Sequence, residues 1–266
     1  MTKRVALALS GGGALGAGHV PVLEALDDLG IRPIAIAGTS MGAMLGAAYA
    51  AGMSAAEIRA EITAVLEHPF DTLRRVSGSL TPPGWNRPMA LAPDVVVDKL
   101  MPDLVPKTFE GLPIPLTVVA TDYFARSAVT FASGDLRPAL AASIAIPMIF
   151  RPQRRHGRVL VDGGLTNNLP FDLLPDADIV LAVDVTAAPV EDRSEPPRMM
   201  EAGIGSIRVM MTAMLEAKLQ HVRPDILIRP RSRYLPMEFV KMREIMDAAA
   251  PSRLETHQRL AELLAG

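Results

Sequence analysis

The chain is expected to fold as a three-layer α/β/α sandwich around a central, mostly parallel sheet of about six strands. Three observations support this. Two short apolar runs near the start are each followed by a glycine-containing turn and a helix-like stretch, the strand, helix, strand, helix order of a parallel sheet. Later runs such as Ile179-Val180-Leu181-Ala182-Val183 are continuously apolar, as strands buried on both faces are. With 266 residues and 49% apolar side chains, the chain can bury a large core, and no low-complexity linker divides it. One domain over residues 1–266 is expected.

The elements follow in order. Residues 4–9 read as the first strand. From about Leu15 to Asp28, Val20, Leu23, Leu26 and Leu29 recur at helical spacing, and Gly30 suits the helix end. Ile34-Ala35-Ile36-Ala37 reads as the second strand, and Met41 to Ala51 as a helix of small residues. Ser54 followed by Glu57 is a capping box that starts a third helix. Residues 68–113 are broken by prolines, including Pro69, Pro82, Pro83 and Pro88, and read as an excursion from the sheet with one short helix near Asp94 to Met101. The core pattern resumes with strands at 116–122 and 128–131 and a helix over Leu136 to Ser143. Val159-Leu160-Val161 and residues 179–184 are strands. A Met-rich helix over about 197–220, a strand at Ile226-Leu227-Ile228 and two helices close the chain.

Composition excludes several function classes. A net charge of -2 argues against nucleic acid as the main partner. The absence of cysteine removes disulfides, thiolate catalysis and cysteine metal sites, and fits a reducing compartment. Lys3-Arg4 precede only five apolar residues before Ser10, fewer than the roughly 7 to 15 of a signal core. No segment offers the roughly 18 apolar residues of a membrane span. The expectation is a cytoplasmic chain, with peripheral membrane contact open to it.

Chemistry concentrates in three glycine-flanked segments. In Gly38-Thr39-Ser40-Met41-Gly42, a G-x-S-x-G turn between strand and helix, the serine takes a strained backbone angle and projects its Oγ as a nucleophile. Gly38 and Gly42 remove side chains that would clash with the helix. Asp162, followed by Gly163 and Gly164, is the matching acid. Gly11-Gly12-Gly13 lies between the first strand and helix, where main-chain N–H groups can hold an oxyanion. Together they describe an acyl hydrolase in which Asp162 takes the Ser40 proton, provided burial raises its pKa from the ordinary 3.9 or so. No metal or cofactor is implied.

Competing readings are weaker. Gly11 to Gly16 also fits a dinucleotide fingerprint, but the acid expected at the end of the second strand is missing, since Gly38-Thr39-Ser40 stands there. His221 and His257 follow the acid in the order of a Ser-Asp-His triad, yet both lie in polar, helix-like surroundings. His19 reads as a packed or capping histidine. Asp122 and Asp184 end apolar strands, where aspartates commonly cap turns, and Asn167 and Asn168 read as turn formers.

Four segments carry a family resemblance: Ser10-Gly11-Gly12-Gly13-Ala14-Leu15-Gly16, Gly38-Thr39-Ser40-Met41-Gly42, Ser143-Ile144-Ala145-Ile146-Pro147, and Asp162-Gly163-Gly164-Leu165-Thr166-Asn167-Asn168-Leu169-Pro170. In this order and spacing, the chain resembles the patatin-like phospholipases, particularly compact bacterial members related to the catalytic domain of neuropathy target esterase. The resemblance implies a patatin-like fold and a lipid ester as substrate, cleaved by a Ser40–Asp162 dyad with the glycine loop as oxyanion hole. It departs at Leu15, where many members carry Arg or Lys, and at Met148, where Gly is frequent. The first departure motivates an alternative, a weakly active or inactive relative that acts through protein contacts.

Three further features motivate narrower expectations. Arg151, Arg154, Arg155, His156 and Arg158 form a basic run on a hairpin turning at His156-Gly157, with Arg154 and Arg155 as contacts to an anionic head group or lipid surface. Trp85, with Leu80, Met89 and Leu91, packs locally or serves as a cover that meets a bilayer. Met199, Met200, Met210, Met211 and Met214 read first as core, with a homodimer contact as a second use.

Overall fold

The computed structural model describes residues 3–67, 91–187, 196–197 and 199–265. Its strands are β1 (Val5–Leu9), β2 (Ile36–Thr39), β3 (Leu116–Asp122), β4 (Ser127–Phe131), β5 (Gln153–Arg155), β6 (Arg158–Asp162), β7 (Ile179–Val183) and β8 (Ile226–Ile228). They form one sheet in the order β5-β6-β3-β2-β1-β7-β8, with β4 also paired to β3. The five-strand centre from β3 to β8 is parallel throughout; β4 and β6 pair with β3 antiparallel, and β5 pairs with β6 antiparallel. The described sheet therefore has eight strands where the sequence suggests about six. β4 and β6 correspond to the runs read at 128–131 and 159–161, and the strand without an apolar signal is β5, three polar residues long.

The helices are α1 (Val20–Asp28), α2 (Met41–Ala50), α3 (Ala55–Glu67), α4 (Pro93–Leu100), α5 (Leu136–Ser143), α6 (Gly164–Asn167), α7 (Met199–Leu219), α8 (Met242–Ala249) and α9 (Pro251–Ala265). The capping box is present: Ser54 N–H donates to Glu57 Oε2 at 2.7 Å and Glu57 N–H to Ser54 Oγ at 3.2 Å. The predicted first helix divides, since Gly13–His19 winds as a 3-10 segment before α1. The second strand lies two residues later than Ile34-Ala35-Ile36-Ala37 indicates, because Ile34 N–H already bonds the carbonyl of Val5 outside the ladder.

Large and small residues alternate along the central strands, and this sets the layers. Val5, Leu7 and Leu9, with Ile179, Leu181 and Val183, point into the main core beside α1, α2 and α8, while Ala8 and Ala182 face the other way. Burying each large side chain contributes roughly 1.5 to 3 kcal/mol. On the alanine face a thinner core forms from Leu169, Phe171, Leu215 and Leu219, so α7 and the segment after Asp162 lie close over the sheet. Residues 91–113 are built into the main core through Val97, Val105 and Phe109. Trp85, Leu80 and Met89 lie outside the described residues, as does the cover expected there.

The pairing of β3 matters most for the site. β4 occupies one edge of β3 from Val118 to Asp122, so β2 and β6, which overlap that span, must share the other edge. β2 ends with Thr39 opposite Val119, and β6 arrives from the opposite direction to end with Asp162 opposite Ala120. Two strands thus meet head-on at adjacent positions of a third.

Candidate active site

Ser40 follows β2 and starts α2 with φ 52° and ψ −123°. Such a conformation costs a non-glycine residue roughly 1 to 3 kcal/mol and persists only where its surroundings impose it. Here they do. A Cβ at Gly42 would stand 2.4 Å from the carbonyl oxygens of both Leu9 and Ser10, and one at Gly38 would stand 2.7 Å from Ala43 Cα. Glycine at both ends lets α2 press against the end of β1 and forces the sharp turn.

Asp162 is 5% exposed and Ser40 is 4% exposed. Asp162 Oδ1 accepts the Gly164 N–H at 2.7 Å, whereas Oδ2 is buried with no hydrogen-bond partner among the described residues. Burial pushes the pKa of Asp162 up to about 6, with the Ser40 hydroxyl and then the Gly164 N–H pulling it back down. Ser40 therefore faces the carboxyl closely enough to influence it, although no bond of ordinary length closes on Oδ2. Hydrogen bonds between reacting groups often tighten only when substrate is bound. Gly163 is required for close approach: a Cβ there would meet the Val119 carbonyl oxygen at 2.2 Å.

One short segment pins both halves of the pair. Ser143 Oγ accepts the Ser40 N–H at 2.7 Å, the Ser143 carbonyl accepts Gly163 N–H at 3.4 Å, and the Ala145 carbonyl accepts Asp162 N–H at 3.0 Å. The sequence shows Ser143 only as part of a motif, since a serine ending a helix carries no local sign of a distant partner. Ser143→Ala would strand the Ser40 N–H in a buried site. A loss of about 1 to 3 kcal/mol in denaturant unfolding is expected, with Ser143→Thr closer to the unsubstituted chain.

The glycine loop needs one correction. Gly11 cannot lend its N–H to an oxyanion, because that group donates to the Asn168 carbonyl at 3.1 Å. Ala14 N–H is likewise taken, by the Pro236 carbonyl at 2.8 Å. The N–H groups of Gly12 and Gly13 find no acceptor among the described residues. Gly13 has φ +56°, which suits glycine.

A polar network holds this loop from below. Asn168 Nδ2 donates to Thr186 Oγ1 at 3.2 Å, and Thr186 donates its hydroxyl and N–H to Asp184 Oδ1 at 2.7 and 2.9 Å. Arg208, reaching from α7, donates Nε and Nη2 to the Thr186 carbonyl at 3.0 and 2.8 Å. Ser10 Oγ accepts the Val185 N–H at 3.0 Å. Asp184 thus organises a turn, as expected for an aspartate ending a strand, and Asn168 belongs to the support of the loop. Asn167 accepts from Lys218 Nζ at 2.9 Å, which ties the turn to α7.

Other sequence expectations resolve as follows. His19 is fully buried and donates from Nε2 to the Ser10 carbonyl at 2.9 Å, and burial lowers its pKa to about 4, so it is a neutral packed histidine. His221 is exposed beyond α7, and His257 sits on α9, which packs against α1. Leu15 is buried in the main core, 1% exposed. Met148 has φ 72°, the conformation for which glycine is suited. Arg154 and Arg155 do not act side by side: Arg154 is exposed, whereas Arg155 lies 4.8 Å from the Phe131 ring and donates to the Asp135 carbonyl at 3.2 Å. Successive strand residues face opposite ways, which separates them. The methionine helix is also less buried than core packing requires, since Met199, Met210 and Met214 are exposed, while the Met211 methyl lies over Gly164.

Comparison with known proteins identifies the family. A family model described as patatin-like phospholipase matches residues 7–175. An uncharacterized NTE family protein of Mycobacterium tuberculosis is 36% identical over 200 residues, covering 73% of this chain and 53% of that protein. Patatin-like phospholipase domain-containing protein 6 of Homo sapiens is 32% identical over 201 residues, covering 71% of this chain and 14% of that protein. The chain thus spans about half the length of the mycobacterial relative and a small part of the human one. Among solved structures, VipD from Legionella pneumophila superposes with a TM-score of 0.50 at 13% identity, over 97% of this chain and 67% of that one, which speaks for the fold alone. With the matched region running from β1 through Ser40 and Asp162, the chain belongs to the patatin-like phospholipase family.

Proposed function

We propose that the protein is a serine acyl hydrolase that cleaves carboxylic esters of lipids through Ser40 and Asp162. One observation supports this above the others. A buried carboxylate has one oxygen fixed by a main-chain N–H and the other without a partner among the described residues, and it is influenced by the hydroxyl of a serine on a strained turn. Family membership supports the lipid as the source of the ester.

In this reading Ser40 Oγ attacks the ester carbonyl carbon while its proton passes to Asp162 Oδ2. The carbonyl oxygen takes up the negative charge and accepts from the N–H groups of Gly12 and Gly13, where each donor contributes on the order of 3 kcal/mol to the transition state. Collapse breaks the bond to the alcohol, and Asp162 returns the proton to the leaving alkoxide. Water then repeats the sequence on the acyl-serine and frees the acid. A carboxylate of ordinary pKa would be a poor base at neutral pH. Raised to about 6, it is charged at pH 7 yet basic enough to take the proton.

The pH profile follows from this. Hydrolysis of a soluble ester is expected to rise about tenfold per pH unit below pH 6 and to level off above it, with no second inflection before pH 8. Labelling with a fluorophosphonate tests the nucleophile directly: adduct at Ser40 is expected. Absence of both labelling and ester hydrolysis would favour the reading as an inactive relative.

A further inference from the structure

We infer that the turn between β3 and β4 is a membrane-docking tip, with Tyr123 and Phe124 entering the interface of a bilayer that carries anionic lipid. The purpose of the tip rests on the reading of the site as a lipid ester hydrolase; its existence is measurable without it. Tyr123 is 58% exposed and Phe124 75%, and the two rings meet edge to face at 5.2 Å, in contact with each other rather than with a core.

The turn that carries them is firmly built. Asp122, itself buried, accepts the N–H groups of Phe124 and Ala125 on Oδ1 at 3.1 and 3.0 Å, and its carbonyl accepts Arg126 N–H at 2.8 Å. Two aromatic rings are thus held outward on a rigid support, which lowers the entropy cost of engaging another phase. Aromatic side chains of this kind concentrate at membrane–water boundaries.

Charge identifies the occupant. Arg126, Arg154 and Arg158 are all exposed, and they lie around the tip because Tyr123 N–H bonds the Val159 carbonyl and Val159 pairs with Arg154 in the neighbouring strand. The carboxylate within the turn is already committed: Asp122 caps the turn amides and lies 3.8 Å from Arg158 Nε. A basic rim around an aromatic tip complements an anionic lipid surface. The position is also right. The tip lies three to four residues beyond Ala120, the partner of Asp162, or about 10 to 13 Å along the strand. Rings seated among the head groups would bring the Ser40 end of the sheet to the membrane face.

The test measures binding of the Ser40→Ala chain, which leaves lipid intact, to sedimented phosphatidylcholine vesicles with and without phosphatidylserine. Binding is expected to favour vesicles with phosphatidylserine and to weaken as salt is raised. Adding Tyr123→Ser and Phe124→Ser should lower it roughly tenfold or more. Arg126→Asn with Arg154→Gln should remove the preference for phosphatidylserine; asparagine tolerates the φ of 56° at position 126. In chains that keep Ser40, Tyr123→Ser with Phe124→Ser should leave hydrolysis of a short soluble ester unchanged, which shows that the variant folds. A parent chain that binds vesicles but hydrolyses no ester would support the tip while removing the esterase reading. Undiminished binding by the double serine variant, or a dimer dissolved by the tip substitutions without any vesicle binding, would overturn the inference.

Discussion

Replacing Ser40 by alanine is expected to remove ester hydrolysis almost entirely, by on the order of 10⁴-fold or more in kcat, and to abolish fluorophosphonate labelling. The expectation comes from how the turn is constructed. The strained φ of Ser40 is maintained by Gly38, Gly42 and the bond from its N–H to Ser143, none of which involves the hydroxyl. Alanine at this position keeps the turn and loses only the hydroxyl proposed as nucleophile. Circular dichroism and unfolding should therefore match the parent while turnover disappears. Substantial residual turnover by a well-folded Ser40→Ala chain would place the nucleophile elsewhere.

Asp162→Asn is expected to act in two directions at once. Turnover should fall on the order of 10⁴-fold, since an amide cannot accept the serine proton. Stability should change differently with pH. The folded pKa of Asp162 is about 6 against an ordinary 3.8, so the buried charge destabilises the parent. That penalty is absent near pH 4 and below, grows between pH 4 and 6, and is complete above pH 6. Over that interval the Asn variant should gain about 3 kcal/mol relative to the parent. Guanidinium unfolding of both chains at pH 4 and pH 8 measures the difference. His19, neutral and buried, has the opposite pH dependence, but it is common to both chains and cancels. An equal stability difference at the two pH values would mean that Asp162 is not desolvated in the folded protein.

Much of the site is legible in the residues because its parts are local demands. A serine forced into positive φ between a strand and a helix needs glycines at fixed offsets, and Gly38 and Gly42 supply them against identifiable backbone atoms. The Ser54–Glu57 capping box and the positive φ values of His156 and Gly157 in the hairpin turn are of the same kind. The positive φ of Met148 also explains why glycine suits that position.

What resisted reading depended on distant partners. Nothing near Gly11 reveals that Asn168 takes its N–H, and nothing near Ser143 reveals that its hydroxyl receives Ser40. Arg154 and Arg155 are adjacent in the chain, yet strand geometry sends one to solvent and the other to Phe131. The methionines of α7 satisfy a core pattern by composition, but the helix covers a thin alanine face of the sheet and leaves several of them outside.

From the residues alone, then, come the candidate reactive groups and the turns that present them, because local backbone sterics select glycine, serine and aspartate at set spacings. Whether those groups meet is a matter of long-range pairing. β2 and β6 end against each other on one edge of β3, Gly12 and Gly13 are the loop donors left open, and the surrounding core strips water from Asp162. Register and desolvation are set by segments far apart in the chain, so only their assembly in three dimensions decides them.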